Sequence, residues 1–173
     1  VAGAAVLIAA TVVVGGGIEA VLLVPDLHPW HRFAPDAEPR AADMGESFTL
    51  EQYLEREERA FAYVRDTAEA AAGAARGAGV VANRYDPLSI SSPRRAARDW
   101  NRTVETVPAE VHGGALLVHG LTDSPYSMRA IAQVLADGGF QTLSLRMPGH
   151  GTVPAALTHA VAEDWMAAVR MGA

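Results

Sequence analysis

The reading of the chain turns on residues 113–151, GGALLVHGLTDSPYSMRAIAQVLADGGFQTLSLRMPGHG. Ala115-Leu116-Leu117-Val118 is a short, wholly apolar run behind two glycines, the pattern of a parallel strand covered on both faces. His119-Gly120-Leu121-Thr122-Asp123 follows as a loop. Ser124 in the N-cap position and Pro125 as first helical residue predict a helix start. Met128, Ile131, Ala132 and Leu135 then recur at helical spacing and give one apolar face. Gly138 and Gly139 predict its end. Phe140 to Leu145 reads as a second strand, closed by Pro148-Gly149-His150-Gly151. Strand, crossover helix and strand in this order form a right-handed βαβ unit, with function expected at the carboxyl ends of its strands. Those ends carry His119-Gly120 and Gly149-His150-Gly151, and the predicted class is α/β.

Around this unit the chain has 173 residues, no cysteine and a net charge of -6. Disulfides and thiolate metal sites are excluded. The acidic balance argues against a nucleic-acid partner, which would want a basic stripe. All 14 basic residues are arginine, which beside so much alanine reads as genome compositional bias. The length fits one domain plus an appendage. The first residue is Val and not Met, so the amino end is expected to be missing.

Val1 to Ile18 holds no charge, and after Glu19 the apolar run resumes through Val24. At about 1.5 Å per residue this stretch would cross a bilayer core of roughly 30 Å. Residues 1–24 are expected to form a transmembrane anchor, with a signal segment and a buried core helix as alternatives. Asp26, Asp36, Glu38 and Asp43 outnumber Arg32 and Arg40 beyond it, so the positive-inside rule places the rest of the chain outside the cytoplasm.

Residues 25–48 are rich in Pro and polar residues and lack periodicity, as a linker or irregular wrap would. His28-Pro29-Trp30-His31 has the look of a metal pair, but no third ligand stands near and Pro29 disfavours a helical His pair. Beside an anchor, this Trp and two His are expected at the membrane interface. Residues 49–79 predict an amphipathic helix, opened by a Thr49/Gln52 capping box. Leu50, Tyr53, Leu54, Phe61, Val64 and Ala68 form its apolar stripe. Glu51, Glu55, Glu57, Glu58, Arg56 and Arg59 form a solvated face, and the Ala/Gly tail from Ala70 is expected to fray. Ser92-Pro93 predicts a short helix over Arg94 to Asp99, and Arg102 to Val107 alternates like a half-buried strand. Arg94, Arg95, Arg98 and Arg102 cluster without an aromatic platform except Trp100, and read as a solvated face.

His119-Gly120-Leu121-Thr122-Asp123-Ser124-Pro125-Tyr126-Ser127 resembles the oxyanion loop of α/β-hydrolase fold enzymes of the esterase, lysophospholipase and monoacylglycerol-lipase type. Met147-Pro148-Gly149-His150-Gly151-Thr152 resembles the loop after the next strand of the same enzymes. Glu163-Asp164-Trp165 resembles the start of the helix before their nucleophile strand. The likeness covers roughly Thr103 to Ala173, so residues 80–173 are expected to be the N-terminal part of such a domain. The resemblance implies that Leu121 lends its backbone N–H to the oxyanion hole, with His119 and Gly120 shaping the loop. It implies a structural role for His119 and a site-flanking role for His150. It also implies a small-molecule acyl ester as substrate and no cofactor or metal.

No G-x-S-x-G occurs in the chain. Ser124, Ser127 and Ser144 read as cap, helix surface and strand. In the family the Ser, Asp or Glu, and His of the triad follow in that order, all after the position of Ala173. A helix from an N-cap at Thr158 through Val161, Trp165 and Val169 is expected to lead into the nucleophile strand. The chain is therefore expected to be a fragment of a membrane-anchored serine hydrolase, inactive alone. The alternatives are an amide or peptide hydrolase on the same fold and a non-catalytic hydrolase-like interaction domain.

Overall fold

The structure is a computed structural model and describes residues 28–32, 34–76 and 83–173. The apolar stretch 1–24 lies outside the described residues. Among the described residues no helix is long and apolar enough to cross a membrane.

Helix α1 spans Leu50–Arg76. Its start carries the expected capping box: the Thr49 N–H donates to Gln52 Oε1 at 2.9 Å, and the Gln52 N–H donates to Thr49 Oγ1 at 3.3 Å. Tyr53, Phe61, Val64 and Ala68 of its stripe are buried, while Leu54 is 39% exposed. The helix does not fray from Ala70: it stays ordered to Arg76, because Ala72 packs in a core with Trp30, Val64, Ala68, Tyr85, Val153 and Ala156. Trp30 is thus a core residue rather than a membrane-interface one. Glu57 is also misplaced by the charge pattern, since it is buried and not on the solvated face.

The sheet has three strands: β1 (Val104–Thr106), β2 (Gly113–Val118) and β3 (Phe140–Leu145), in the order β1-β3-β2. β2 and β3 are parallel, in register from Gly113↔Phe140 to Val118↔Leu145. β1 runs antiparallel to β3. Between β2 and β3 lie a 3-10 turn over Pro125–Met128 and helix α2 over Arg129–Asp137. Ser124 is extended and Pro125 opens the turn, but the Ser124 side chain makes no capping bond. β2 is an edge strand among the described residues, so it is half-covered rather than buried on both faces, and Val118 is exposed. On α2 only Ala132 is fully buried; Ile131 and Val134 face outward.

The expected helix over Arg94 to Asp99 is a single 3-10 turn at Pro93–Arg95, ended where Ala96 turns extended. The helix expected from Thr158 is two helices, α3 (Pro154–His159) and α4 (Ala162–Gly172). Pro154 starts the first, and the Thr158 hydroxyl donates to the Ala155 carbonyl inside it instead of capping the second. The N-cap of α4 is Val161, and the carboxylate of Asp164 in the first turn accepts the Val161 N–H at 3.1 Å. Met147 and Leu145 of β3 and its exit pack with Ala168 of α4 and Tyr53 of α1.

Residues 34–48 bind to this frame at both ends. Pro35 and Pro39 are fully buried. Asp164 accepts the Ala41 N–H at 2.7 Å and pairs with Arg40 at 3.3 Å. Burial opposes the charge of Asp164, but these bonds hold its carboxyl below the usual value.

Candidate active site

Because Val118 and Leu145 are paired, the chain leaves β2 and β3 side by side. His119 spans the two exits. The Met147 N–H donates to its Nε2 at 3.1 Å, and its Nδ1 lies 2.9 Å from the Gly120 carbonyl. A ring nitrogen that accepts an N–H carries no proton, so the imidazole is neutral and donates from Nδ1 to Gly120. Burial holds the His119 pKa below its ordinary value; the Gly120 bond opposes this and nearby His150 reinforces it.

His150 closes the other side. Its Nε2 lies 2.7 Å from the Leu121 carbonyl and its Nδ1 lies 3.1 Å from the Pro148 carbonyl. Its ring sits edge-on to His119 at 4.9 Å between centroids, and Trp165 backs it at 5.7 Å. Gly149 and Gly151 on either side have φ of +82° and +74°, a left-handed geometry that side chains disfavour. A Cβ at Gly151 would come within 2.8 Å of the Asn101 carbonyl oxygen.

Two histidines therefore hold the two peptide groups that flank Leu121. His119 holds the Gly120 carbonyl and His150 holds the Leu121 carbonyl. In a trans peptide the N–H points away from the C=O of the same unit. Fixing the Gly120 carbonyl thus fixes the direction of the Leu121 N–H, which has no hydrogen-bond partner among the described residues. Leu121 is 60% exposed. It borders a cleft of about 440 Å³ that is also lined by Thr122, Ser124, His150, Val153 and Leu157.

Behind the His150 loop is a charge cluster that sequence reading missed. Arg146, directly after β3, is 0% exposed, with Glu38 at 2% and Glu57 at 3%. Its guanidinium forks onto Glu38 at 3.0 and 3.2 Å, and its Nε donates to Glu57 at 3.1 Å. Burial works against the Arg146 charge, but the two carboxylates more than offset it and hold the pKa above the usual arginine value. Tyr53 donates its hydroxyl to the Arg146 carbonyl. Burial pushes that phenol well above its ordinary pKa, against the pull of Arg146. Glu57 also accepts from the Thr103 N–H and hydroxyl. One signal for Glu57 was available: it stands four residues after Tyr53, on the apolar side of α1. Glu38 lies in an aperiodic stretch and gave none.

Among the described residues no serine hydroxyl bonds to a histidine: Ser127 donates to the Ser124 carbonyl, and Ser144 is buried in β3. His119 and His150 are both committed to backbone groups. Among the described residues there is also no group of three His, Cys, Asp or Glu placed to hold a metal ion. What the arrangement offers is a fixed, uncommitted N–H beside a partly apolar cleft.

The state of His119 makes a stability prediction. Its folded pKa is lowered, so below about pH 6.5 the unfolded ring takes up a proton that the folded ring resists. Its contribution is full above that pH and is lost as pH falls toward the folded pKa. His119→Asn is expected to flatten the loss of stability between about pH 7 and 5 in urea melts. Equal slopes in parent and variant would contradict a His119 ring held neutral by burial.

No family model matches the chain. It is similar to the thermostable monoacylglycerol lipase of Bacillus sp. (strain H-257), at 41% identity over 59 residues, which are 34% of this chain and 24% of that one. That partial likeness supports a relation to esterase- and lipase-like α/β-hydrolases. The chain spans about a quarter of the length of that curated relative, 24%. A solved structure described with LipS and LipT, two metagenome-derived lipolytic enzymes, is 34% identical over 42% of this chain and 29% of that one, with a TM-score of 0.40. The loop after β2 is the one that the sequence likeness singled out.

Proposed function

We propose that these residues supply the oxyanion-binding side of a serine hydrolase that cleaves carboxylic esters of apolar acyl groups. The observation that carries this is the Leu121 N–H, unpartnered among the described residues, while His119 and His150 pin the carbonyls on either side of it. Attack of a serine hydroxyl on an ester carbonyl puts negative charge on the carbonyl oxygen. A preorganised N–H stabilises that charge without reorganising at the moment of reaction. Leu121, Val153 and Leu157 give the adjoining cleft an apolar wall for an acyl chain. The nucleophile, its base and acid, and the second oxyanion donor are proposed to come from chain outside residues 1–173. The name of the curated relative, a monoacylglycerol lipase, agrees with an ester substrate.

The test compares acyl esters with acyl amides of equal chain length, using the whole protein. Ester hydrolysis with kcat/KM well above that for the matched amide is expected. A preference for the amide would favour an amide hydrolase on the same fold. Hydrolysis of neither would favour a non-catalytic domain.

A further inference from the structure

The segment before α1 lies outside the stretch that resembles the hydrolases, yet it reaches the back of the candidate site. Glu38 contacts the Gly149–Thr152 loop at two points. Its Oε2 accepts the Gly149 N–H at 3.0 Å, and its Oε1 accepts the Thr152 hydroxyl at 3.1 Å. The same carboxylate holds Arg146, whose Nη1 donates to the His150 carbonyl at 2.7 Å. The loop is thus tied on both sides of His150 and at His150 itself. His150 in turn is 2.7 Å from the Leu121 carbonyl.

We propose that Glu38 is a positioning residue for the oxyanion donor, acting through the Gly149–Thr152 loop and His150 on Leu121. The proposal rests on the ester-hydrolase reading for its kinetic effect. The physical coupling stands apart from it. Each link is a hydrogen bond to a buried or loop-fixed group, and the loop cannot relax easily because Gly149 and Gly151 hold left-handed backbone. Replacing one carboxylate oxygen of Glu38 by an amide NH2 weakens the fork on Arg146 and takes the acceptor from Gly149 or from Thr152. The loop then loses the geometry that sets His150. A displacement of well under an ångström at an oxyanion donor is enough to lose transition-state stabilisation.

Glu57 provides a matched comparison. It is as buried as Glu38 and pairs with the same arginine, but its bonds run to Arg146 Nε and Thr103. None of these bonds reaches the Gly149–Thr152 loop. A purely structural role for the ion pairs would make Glu38→Gln and Glu57→Gln equivalent. The positioning role makes them differ in kcat.

The experiment measures kcat and KM for a short-chain p-nitrophenyl ester, with urea stability, in the whole protein and in three variants. Glu38→Gln is expected to lower kcat roughly 10- to 100-fold at similar KM, less than the ~10²–10³ seen when an oxyanion donor is removed. Glu57→Gln is expected to lose stability with kcat retained. Thr152→Val, a milder change that keeps the ion pair, is expected to lower kcat in the same direction if Glu38→Gln fails to fold. Equal loss of kcat in Glu38→Gln and Glu57→Gln overturns the proposal. So does unchanged kcat in both Glu38→Gln and Thr152→Val. The Leu121 amide and His150 ring nitrogen resonances give a readout without turnover. They are expected to move in Thr152→Val and not in Glu57→Gln. If the parent hydrolyses no ester, the ester-hydrolase reading fails, while these resonances still decide the coupling.

Discussion

Arg146→Met is expected to cost about 3–5 kcal/mol of folding stability, the range for breaking a buried ion pair from one side. The methionine fills much of the arginine stem but leaves Glu38 and Glu57 facing each other's field, at 2% and 3% exposure, with no cation between them. Their remaining donors are Gly149, Thr152 and Thr103, all neutral. The cost comes from stranded carboxylates and not from lost attraction alone, since burying the three charges together was itself expensive. Adding Glu38→Gln and Glu57→Gln to Arg146→Met should therefore recover part of the loss. Urea melts at neutral pH measure both effects. A loss under about 1 kcal/mol for Arg146→Met, the size of an exposed pair, would contradict the burial of this cluster.

Leu121→Pro is expected to lower kcat for ester hydrolysis about 10²–10³-fold in the whole protein, because proline has no N–H to give the oxyanion. Leu121→Ala keeps the N–H and shortens only the side chain at the mouth of the cleft. It is expected to leave kcat close to the parent value and to shift preference among acyl-chain lengths. The two variants separate the amide from the side chain at one position. Proline also restricts the residue before it, so the urea midpoint is needed to show that the fold survives. Equal damage from Ala and Pro would move the role from the backbone to the leucyl group.

These effects come from parts of the molecule that differ in how far sequence exposes them. β3, the capping box of α1 and the loop over His119, Gly120 and Leu121 were legible, because each rests on local spacing and local chemistry; the roles given to those three residues came from the family resemblance and stay proposals. The ends of β2 and β3 followed from the same pattern. The ion-pair cluster did not, since Arg146 lies 108 residues from Glu38 and 89 from Glu57. Nothing local marks a charge as buried when its partner is that remote. Trp30 hid for the same reason: its neighbours are on α1, near Tyr85 and on α3. The separate starts of α3 and α4 were written in the chain, as Val153-Pro154 and as Asp164 three residues after Val161, but the apolar spacing from Thr158 read as one helix. His150 was placed near the site, although its bond to the Leu121 carbonyl needed coordinates to see.

The chain is proposed to carry an oxyanion donor, the Leu121 N–H, for a serine nucleophile located elsewhere in the protein. Labelling the whole protein with a fluorophosphonate and mapping the modified serine by mass spectrometry tests it most directly. A single labelled serine outside residues 1–173, within a G-x-S-x-G context, is expected, with no labelling of residues 1–173 alone. Labelling of Ser124, Ser127 or Ser144, or no labelling of a protein that still hydrolyses esters, would contradict it.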